Sequence, residues 1–161
     1  YDISKRREGF NMAIATFGQK KEGVEYSNRY GVYAVIPNQE NDKIILVQAP
    51  NGAWFLPGGE IEAGEDHLSA LERELIEELG FTAKVGKYYG QADEYFYSRH
   101  RDRYFYNPAY IYEITSFEQS QKPLEDFNQL AWFPIDEAIE KLKRGSHKWG
   151  VEMWKMEHQA K

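Results

Sequence analysis

Cysteine is missing from all 161 residues, which excludes a disulfide framework and thiolate chemistry. Long apolar runs are missing as well. No run approaches the roughly 18 residues of a membrane-spanning helix, and no signal-like apolar segment lies near the start. A reducing cytoplasm is therefore the expected location, and no membrane partner is expected.

An excess of positive charge is also missing, because the net charge is −6 and the isoelectric point is about 5.3. Stable binding of DNA or RNA needs a basic surface, so none is expected. A small phosphorylated ligand is still compatible, because a bound metal ion can neutralise an acidic site locally. The histidines lack zinc-ligand spacing, so no zinc site is predicted.

Length and composition predict one domain over residues 1–161, since 16% of the residues are aromatic and the charges are mixed. Helices are predicted at residues 67–79 and 136–143, with a third starting at residue 145. The predicted strands cover residues 10–17, 30–36, 43–49, 54–56, 82–86, 88–91, 93–97, 104–106, 109–115 and 130–134, with 30–36 and 43–49 as a hairpin. This order favours an α+β or α/β fold with a mixed sheet between helices.

The helix predicted at residues 67–79 has clear signals at both ends. Asp66 is a good N-cap, and Gly80 is a good C-terminal stop. A leucine recurs at steps of three and four, which predicts one buried stripe formed by Leu68, Leu71, Leu75 and Leu79.

Three carboxylates share a face of this helix, because Glu74, Glu77 and Glu78 have i, i+3 and i+4 spacing. Like charges at this spacing repel, and partial burial strengthens the repulsion. Between Glu65 and Glu78 the only cation is Arg73, which we expect to point to a different side from Glu77 and Glu78 and to reach back to Glu65. A divalent cation with oxygen ligands, Mg²⁺ or Mn²⁺, would relieve the repulsion.

The segment Pro57-Gly58-Gly59 precedes these acids. Its glycines allow the backbone to approach a ligand closely, and a backbone carbonyl there is a further hard oxygen ligand. Acidic helix and glycine loop together indicate a metal site that acts on a polyanionic substrate.

Residues 59–81 resemble the Nudix box, G-x5-E-x7-R-E-U-x-E-E-x-G-U with U apolar, at every specified position. The resemblance implies a Nudix-type α-β-α sandwich and hydrolysis of a nucleoside diphosphate linked to another group X, with Mg²⁺ or Mn²⁺. It implies that the metal ligands are Gly58 (carbonyl), Glu74, Glu77 and Glu78, and that Arg73 and Glu65 hold the loop. Asp126, shortly before Trp132-Phe133-Pro134, is the expected further ligand.

Members of the family use different residues as the base, and we choose Glu74 as a metal ligand with a possible role as the base. The products would be a nucleoside monophosphate and a phosphorylated X. The small size favours a MutT-like nucleoside triphosphate pyrophosphohydrolase. ADP-ribose and dinucleoside polyphosphates stay open as substrates, because Gln48-Ala49 stands where many MutT-like members carry an arginine.

The second informative segment is rich in tyrosine and phenylalanine over residues 88–112, with four cationic side chains near residues 99–103. The functional interpretation is base stacking with arginine contacts to phosphate, and the structural one is a hairpin of cross-strand aromatic pairs. Arg101 and Arg29 are the candidate phosphate contacts. Trp54 either lines the pocket or fills core.

Three hypotheses follow. The first is a metal-dependent hydrolase acting on a small nucleotide-type substrate, as a monomer or homodimer. The second is a non-catalytic domain of the same fold that senses a nucleotide. The third is an unrelated domain whose acidic helix binds a protein, for which added Mg²⁺ would not change stability.

Overall fold

A computed structural model describes residues 14–125 and 128–159. Two sheets and three helices make up the described part. The strands are β1 (Ala15–Phe17), β2 (Tyr26–Asn28), β3 (Gly31–Val35), β4 (Lys43–Gln48), β5 (Trp54–Phe55), β6 (Gly58–Glu60), β7 (Phe81–Ser98), β8 (Arg103–Gln119) and β9 (Gln129–Pro134). The helices are α1 (His67–Leu79), α2 (Ile135–Lys141) and α3 (Gly145–Gln159). Among these residues, none of the helices has the length and apolar character that crossing a membrane requires.

The larger sheet is mixed and has the strand order β1-β7-β8-β3-β6, with β2 also paired to β8. Strands β3 and β8 run parallel, whereas β7 with β8 and β3 with β6 run antiparallel. The smaller sheet, β5-β4-β9, is antiparallel throughout. The predicted mixed sheet is therefore confirmed.

Strand β3 lies between β8 and β6, and every one of its residues is buried. Its side chains alternate between two hydrophobic clusters, as the period of two in a strand requires. Val32 and Ala34 pack in the cluster that contains Leu71 and Leu75 of α1. Tyr33 and Val35 belong to the cluster built with α3. Helices therefore cover both faces, which confirms the α-β-α sandwich.

Helix α1 begins and ends where the capping signals predict. The Asp66 carboxylate accepts a hydrogen bond from the Ser69 backbone N–H at 2.8 Å, and Gly80 adopts a left-handed conformation with φ of 71°. The predicted buried stripe was wrong at one end, because Leu68 is 47% exposed and the buried residues begin at Ala70. Helical spacing gives the direction of a side chain but not the point where the neighbouring sheet ends.

The predicted hairpin of residues 30–36 with 43–49 was wrong. Strand β3 pairs with β6 and β8, whereas β4 belongs to the smaller sheet and meets the end of the β3 segment only through an isolated bridge from Pro37 to Ile44. The separate strands predicted over residues 82–97 form one strand, β7, in which the register shifts near Val85, Tyr88 and Gly90. Of the predicted strand 10–17, only residues 14–17 lie within the described part.

The two leucines of α1 provide a test of the packing. Leu71→Ala should lower the free energy of unfolding by about 2–5 kcal/mol, because it empties a fully buried site. Leu68→Ala should cost less than about 1 kcal/mol, because that side chain stays largely in water. Urea unfolding of both variants checks this, and equal losses would contradict the placement of α1.

Candidate active site

The segment predicted as a glycine loop forms the start of β6 in the larger sheet, and we keep the name glycine loop for Pro57-Gly58-Gly59. Two glycines make its geometry possible. Gly58 has φ of 139°, and a Cβ there would lie 2.1 Å from the Val32 carbonyl oxygen. A Cβ on Gly59 would lie 2.6 Å from the carboxylate carbon of Glu74. The absence of both side chains lets the backbone approach strand β3 on one side and the Glu74 carboxylate on the other.

Arg73 joins the loop to the acidic face of α1. Its Nε and Nη2 atoms donate to the two carboxylate oxygens of Glu65 at 2.7 and 2.9 Å, and Nη2 also donates to the Glu60 carbonyl oxygen at 3.0 Å. The structure thus brings Arg73 and Glu65 together in the expected two-pronged pair. Arg73 does not point away from the other acids, however, since Nη1 lies 3.1 Å from Glu74 and 3.3 Å from Glu77.

Glu65 is a fixed anion in this arrangement. The hydrogen bonds from Arg73, with a further one from the Glu62 backbone N–H at 2.8 Å, lower the pKa of Glu65 to about 2. The loop is therefore held by a carboxylate that stays ionised throughout the neutral range.

The carboxylates on the sheet side of α1 are in the opposite situation. Burial, reinforced by Glu77, raises the pKa of Glu74 to about 7 despite the contact with Arg73. Burial raises the pKa of Glu78 well above its usual range, although its carboxylate accepts a hydrogen bond from the Gly58 backbone N–H at 2.8 Å. Burial and Glu77 also raise the pKa of Glu125. This cluster has more negative charge than Arg73 balances.

The residues present suit a hard divalent cation. Glu74, Glu77 and Glu78 offer oxygen donors beside a backbone that glycine leaves accessible, and the crowding of anions is relieved by a cation. The carboxylate oxygens of these three residues do not all lie within 4.8 Å of one another. Among the described residues, the three side chains whose ligand atoms do lie that close together are Glu113, Glu157 and His158. That second group is separate from the glycine loop. Within it, His158 pairs with Glu113, and Glu157 pairs with Lys87.

A cavity of about 260 Å³ opens beside the glycine loop. Gly58, Gly59 and Glu78 form the part of its wall that belongs to the loop and α1. The remaining wall is aromatic, aliphatic, amide and cationic: Arg29, Tyr33, Val47, Ala49, Phe55, Leu56, Phe96, Ser98, Arg101, Phe105, Asn107, Asn128, Arg144 and His147. The Glu78 carboxylate and three arginines therefore belong to the wall of the same cavity.

The predicted substrate contacts have different fates. Arg29 lines the cavity and pairs with Glu60 at 3.3 Å, and Arg101 lines it from the hairpin between β7 and β8. Trp54 is absent from the wall. Its ring packs against Phe133 at a centroid distance of 4.9 Å, beside the core, while Phe55 takes the place at the cavity. Alternation along β5 explains the exchange, because neighbouring side chains point to opposite faces.

The expected further metal ligand, Asp126, lies outside the described residues. Its neighbour Glu125 is held against α1, since the Glu125 backbone N–H donates to the Glu77 carbonyl oxygen at 2.9 Å. Asn128, on the other side of Asp126, lines the cavity. Of the described residues that flank Asp126, Glu125 therefore lies beside α1 and Asn128 at the cavity.

The cross-strand pairing of the aromatic residues is present, with Phe96 opposite Phe105 and Tyr97 opposite Tyr104. The structural interpretation of this hairpin is therefore confirmed. Phe96 and Phe105 also line the cavity, and ligand contacts of the hairpin stay a prediction.

Sequence reasoning missed Arg144 and His147, which come together at the start of α3. The Nδ1 atom of His147 accepts a hydrogen bond from the Leu56 backbone N–H at 3.0 Å, and burial lowers the pKa of His147 to about 3. A neutral, buried imidazole in this position supports the strand that leads into the glycine loop. No local spacing signals either residue, because their partners lie on distant strands.

The model of the NUDIX domain matches residues 27–153. The chain belongs to the Nudix family. Residues 27–153 include the box, the cavity and most of both sheets, so the family assignment covers the whole site.

Among curated proteins, the chain is 26% identical over 109 residues to the diphosphoinositol polyphosphate phosphohydrolase 3-beta of Bos taurus, covering 66% of the chain and 63% of the relative. The chain thus spans less than two thirds of that relative. The solution structure of the E. coli ORF135 protein is 26% identical, with a TM-score of 0.62 over 84% of this chain and 94% of that one. A mutator MutT protein from Bacillus halodurans is 24% identical, with a TM-score of 0.60 over 77% and 80%.

Replacing Arg73 by lysine should test how strongly the guanidinium holds the Nudix box. A lysine keeps the charge but cannot bind Glu65 with two prongs while also reaching the Glu60 carbonyl. We expect Arg73→Lys to lower the free energy of unfolding by about 1–3 kcal/mol in urea at pH 7. The matched exchange Arg99→Lys, at an exposed position, should change it by less than about 0.5 kcal/mol. Indistinguishable midpoints would show that Arg73 acts only as a charge.

Proposed function

We propose that the chain hydrolyses a phosphoanhydride bond in a nucleoside diphosphate linked to a group X, with Mg²⁺ or Mn²⁺ as cofactor. One observation carries this proposal: Glu78 of the acidic cluster lines a cavity together with Gly58, Gly59 and three arginines. The proposed metal ligands are the Gly58 carbonyl, Glu74, Glu77, Glu78 and Asp126. Diphosphate oxygens would complete the coordination, as Mg²⁺ commonly requires.

When bound, the metal would neutralise charge on the diphosphate and lower the pKa of a coordinated water. The chain's own residues supply position. Arg73 and Glu65 hold the loop, and the Gly58 N–H holds Glu78. Glu74 lies against the Gly59 backbone and is our choice of base, taking a proton from the attacking water. A new bond forms between the water oxygen and one phosphorus, and the bridging P–O bond breaks, which releases a nucleoside monophosphate and phosphorylated X.

A second candidate substrate is a diphosphorylated inositol. The names of the curated relatives favour it, since those proteins are called diphosphoinositol polyphosphate phosphohydrolases at 26–28% identity. The chemistry at the phosphoanhydride is the same. Only the group carried into the cavity differs.

Glu77→Gln tests the hydrolase proposal. The change removes a charge from the proposed metal set with little change in volume, so we expect turnover to fall at least about 100-fold. The control is Glu72→Gln on the same helix, where the side chain is exposed and outside the cavity wall. Release of phosphate or nucleoside monophosphate would be measured for nucleoside triphosphates, ADP-ribose, diadenosine polyphosphates and a diphosphoinositol polyphosphate, with Mg²⁺, Mn²⁺ or chelator.

Turnover that is lost in Glu77→Gln and in chelator, but kept in Glu72→Gln, would support the hydrolase. Absence of turnover, with a nucleotide still raising the melting temperature, would favour the sensing domain instead.

The pH dependence of stability provides a separate test. Because the pKa of Glu74 is raised to about 7, its contribution to stability is complete below the unfolded value of about 4.5 and is lost as pH rises through 7. In chelator, wild type should therefore lose roughly 2 kcal/mol more than Glu74→Gln between pH 5 and pH 8. Mg²⁺ should stabilise wild type more at pH 8 than at pH 5, because ligands bind the metal when ionised. Parallel stability curves for the two proteins would contradict the assigned role of burial.

A further inference from the structure

We propose that Arg144 and Arg101 form an anion subsite that selects substrates in which X carries a phosphate of its own. The inference deepens the proposed hydrolase function and rests on it for the position of the scissile bond. It is argued from the charges, the stacking contacts and the size of the cavity.

Arg144 immediately precedes α3 and lines the cavity. Its guanidinium group contacts two aromatic rings. The guanidinium carbon lies 3.5 Å from the centroid of the Phe96 ring and 5.6 Å from that of Phe55. Such contacts orient a guanidinium group without using its N–H donors. The side chain itself is half-buried.

The carboxylate that acts on Arg144 electrostatically, Glu94, has other hydrogen-bond donors. Burial lowers the pKa of Arg144, and the Glu94 carboxylate opposes this without forming an ion pair within 4.0 Å. Glu94 itself accepts hydrogen bonds from the Ser146 N–H at 2.9 Å and the Ser146 hydroxyl at 3.0 Å, so it caps α3.

Arg144 and Arg101 lack ion-pair partners within residues 14–125 and 128–159, because no carboxylate there lies within 4.0 Å of either guanidinium. Arg29, on the same cavity, does have one, at 3.3 Å from Glu60. Arg144 is half-buried, and a partly buried cation without a counter-ion is unfavourable, so a bound anion would relieve that cost. Arg101 is exposed and adds a second guanidinium group to the same cavity wall.

The aromatic faces beside Arg144 and Arg101 favour phosphate over a nucleobase. Arg144 covers Phe96, and the Arg101 guanidinium lies 5.7 Å from the Phe105 ring centroid, so arginines occupy faces on which a base would otherwise stack. The planar fork of an arginine matches two phosphate oxygens. The cavity therefore presents guanidinium hydrogen-bond donors, whereas a base-binding site would present free aromatic faces for stacking.

The size of the cavity points to a compact group. A volume of about 260 Å³ lies below the roughly 300–1,000 Å³ of pockets that enclose a drug-sized ligand. Glu78 and the Gly58 backbone on the cavity wall favour a cation, and the guanidinium groups of Arg101 and Arg144 on the same wall favour an anion. A metal-bound phosphoanhydride beside the first group and a further phosphate beside the second would satisfy both.

The test compares substrates with and without a phosphate on X. Nucleoside triphosphate and diphosphoinositol polyphosphate carry one, whereas ADP-ribose ends in an uncharged sugar. Arg144→Gln and Arg101→Gln should lower kcat/KM for the phosphate-bearing substrates by roughly 10- to 100-fold and change that for ADP-ribose by less than about threefold. Arg144→Lys should recover part of the loss, because it keeps the charge.

Arg103→Gln is the matched control, since Arg103 belongs to the same hairpin but is absent from the cavity wall. Arg103→Gln should leave kcat/KM unchanged for every substrate. Melting temperatures of all variants exclude a simple folding defect. Equal losses on both substrate classes, or none in Arg144→Gln, would overturn the subsite while leaving the hydrolase intact.

A binding measurement separates the two proposals. Inorganic tripolyphosphate, titrated calorimetrically in chelator, needs neither metal nor turnover. Binding to wild type and Arg103→Gln that is lost in Arg144→Gln would support the subsite even if no substrate were hydrolysed. No tripolyphosphate binding to wild type would overturn the subsite, whatever the hydrolysis assay shows.

Discussion

The guanidinium group of Arg73 is the contact on which the geometry of the site depends. It binds Glu65 with two prongs, the Glu60 carbonyl with one of the same nitrogens, and Glu74 and Glu77 with the third nitrogen. One rigid, always charged fork thus fixes the loop and limits the repulsion among carboxylates of the helix. A point charge on a flexible stem cannot meet these directions at once.

The site separates charges of opposite sign across one cavity. Acidic groups with raised pKa values lie at the glycine loop, while Arg101 and Arg144 lie on the other walls without carboxylates of the described residues close by. The buried carboxylates and the half-buried Arg144 each carry an electrostatic cost when alone. Under the proposed function, a metal bound to a polyphosphorylated substrate would offset both costs.

Strand β3 links this electrostatic arrangement to the fold. It is buried on both faces, with one row of side chains against α1 and the other against α3. Its pairing with β6 places the glycine loop, and its Tyr33 ring lies 4.3 Å from the ring of His147. Strand β3 thus packs against both α1 and α3. This shared contact brings Glu78 of α1 and Arg144, just before α3, to the wall of one cavity.

Helix α1 was readable from local chemistry, since Asp66, Gly80 and the leucine period describe interactions within a few residues of one another. The Nudix box and its acidic face were also readable, because their residues lie close together in the sequence. Local turn chemistry between residues 36 and 43 did not show that β4 leaves the central sheet. That outcome depends on β9, which lies about 90 residues later and pairs with β4 along its whole length.

The sequence alone determined the helix, its caps, the glycine loop and the acid-rich composition of the site, because spacing within one element sets which side chains are neighbours. Only the tertiary structure decided that Arg144, Phe96 and Phe55 meet, that Trp54 turns to the core, and that His147 supports the strand before the loop. These contacts join residues that are distant in the chain. Their existence depends on how sheets and helices pack, which no local pattern encodes.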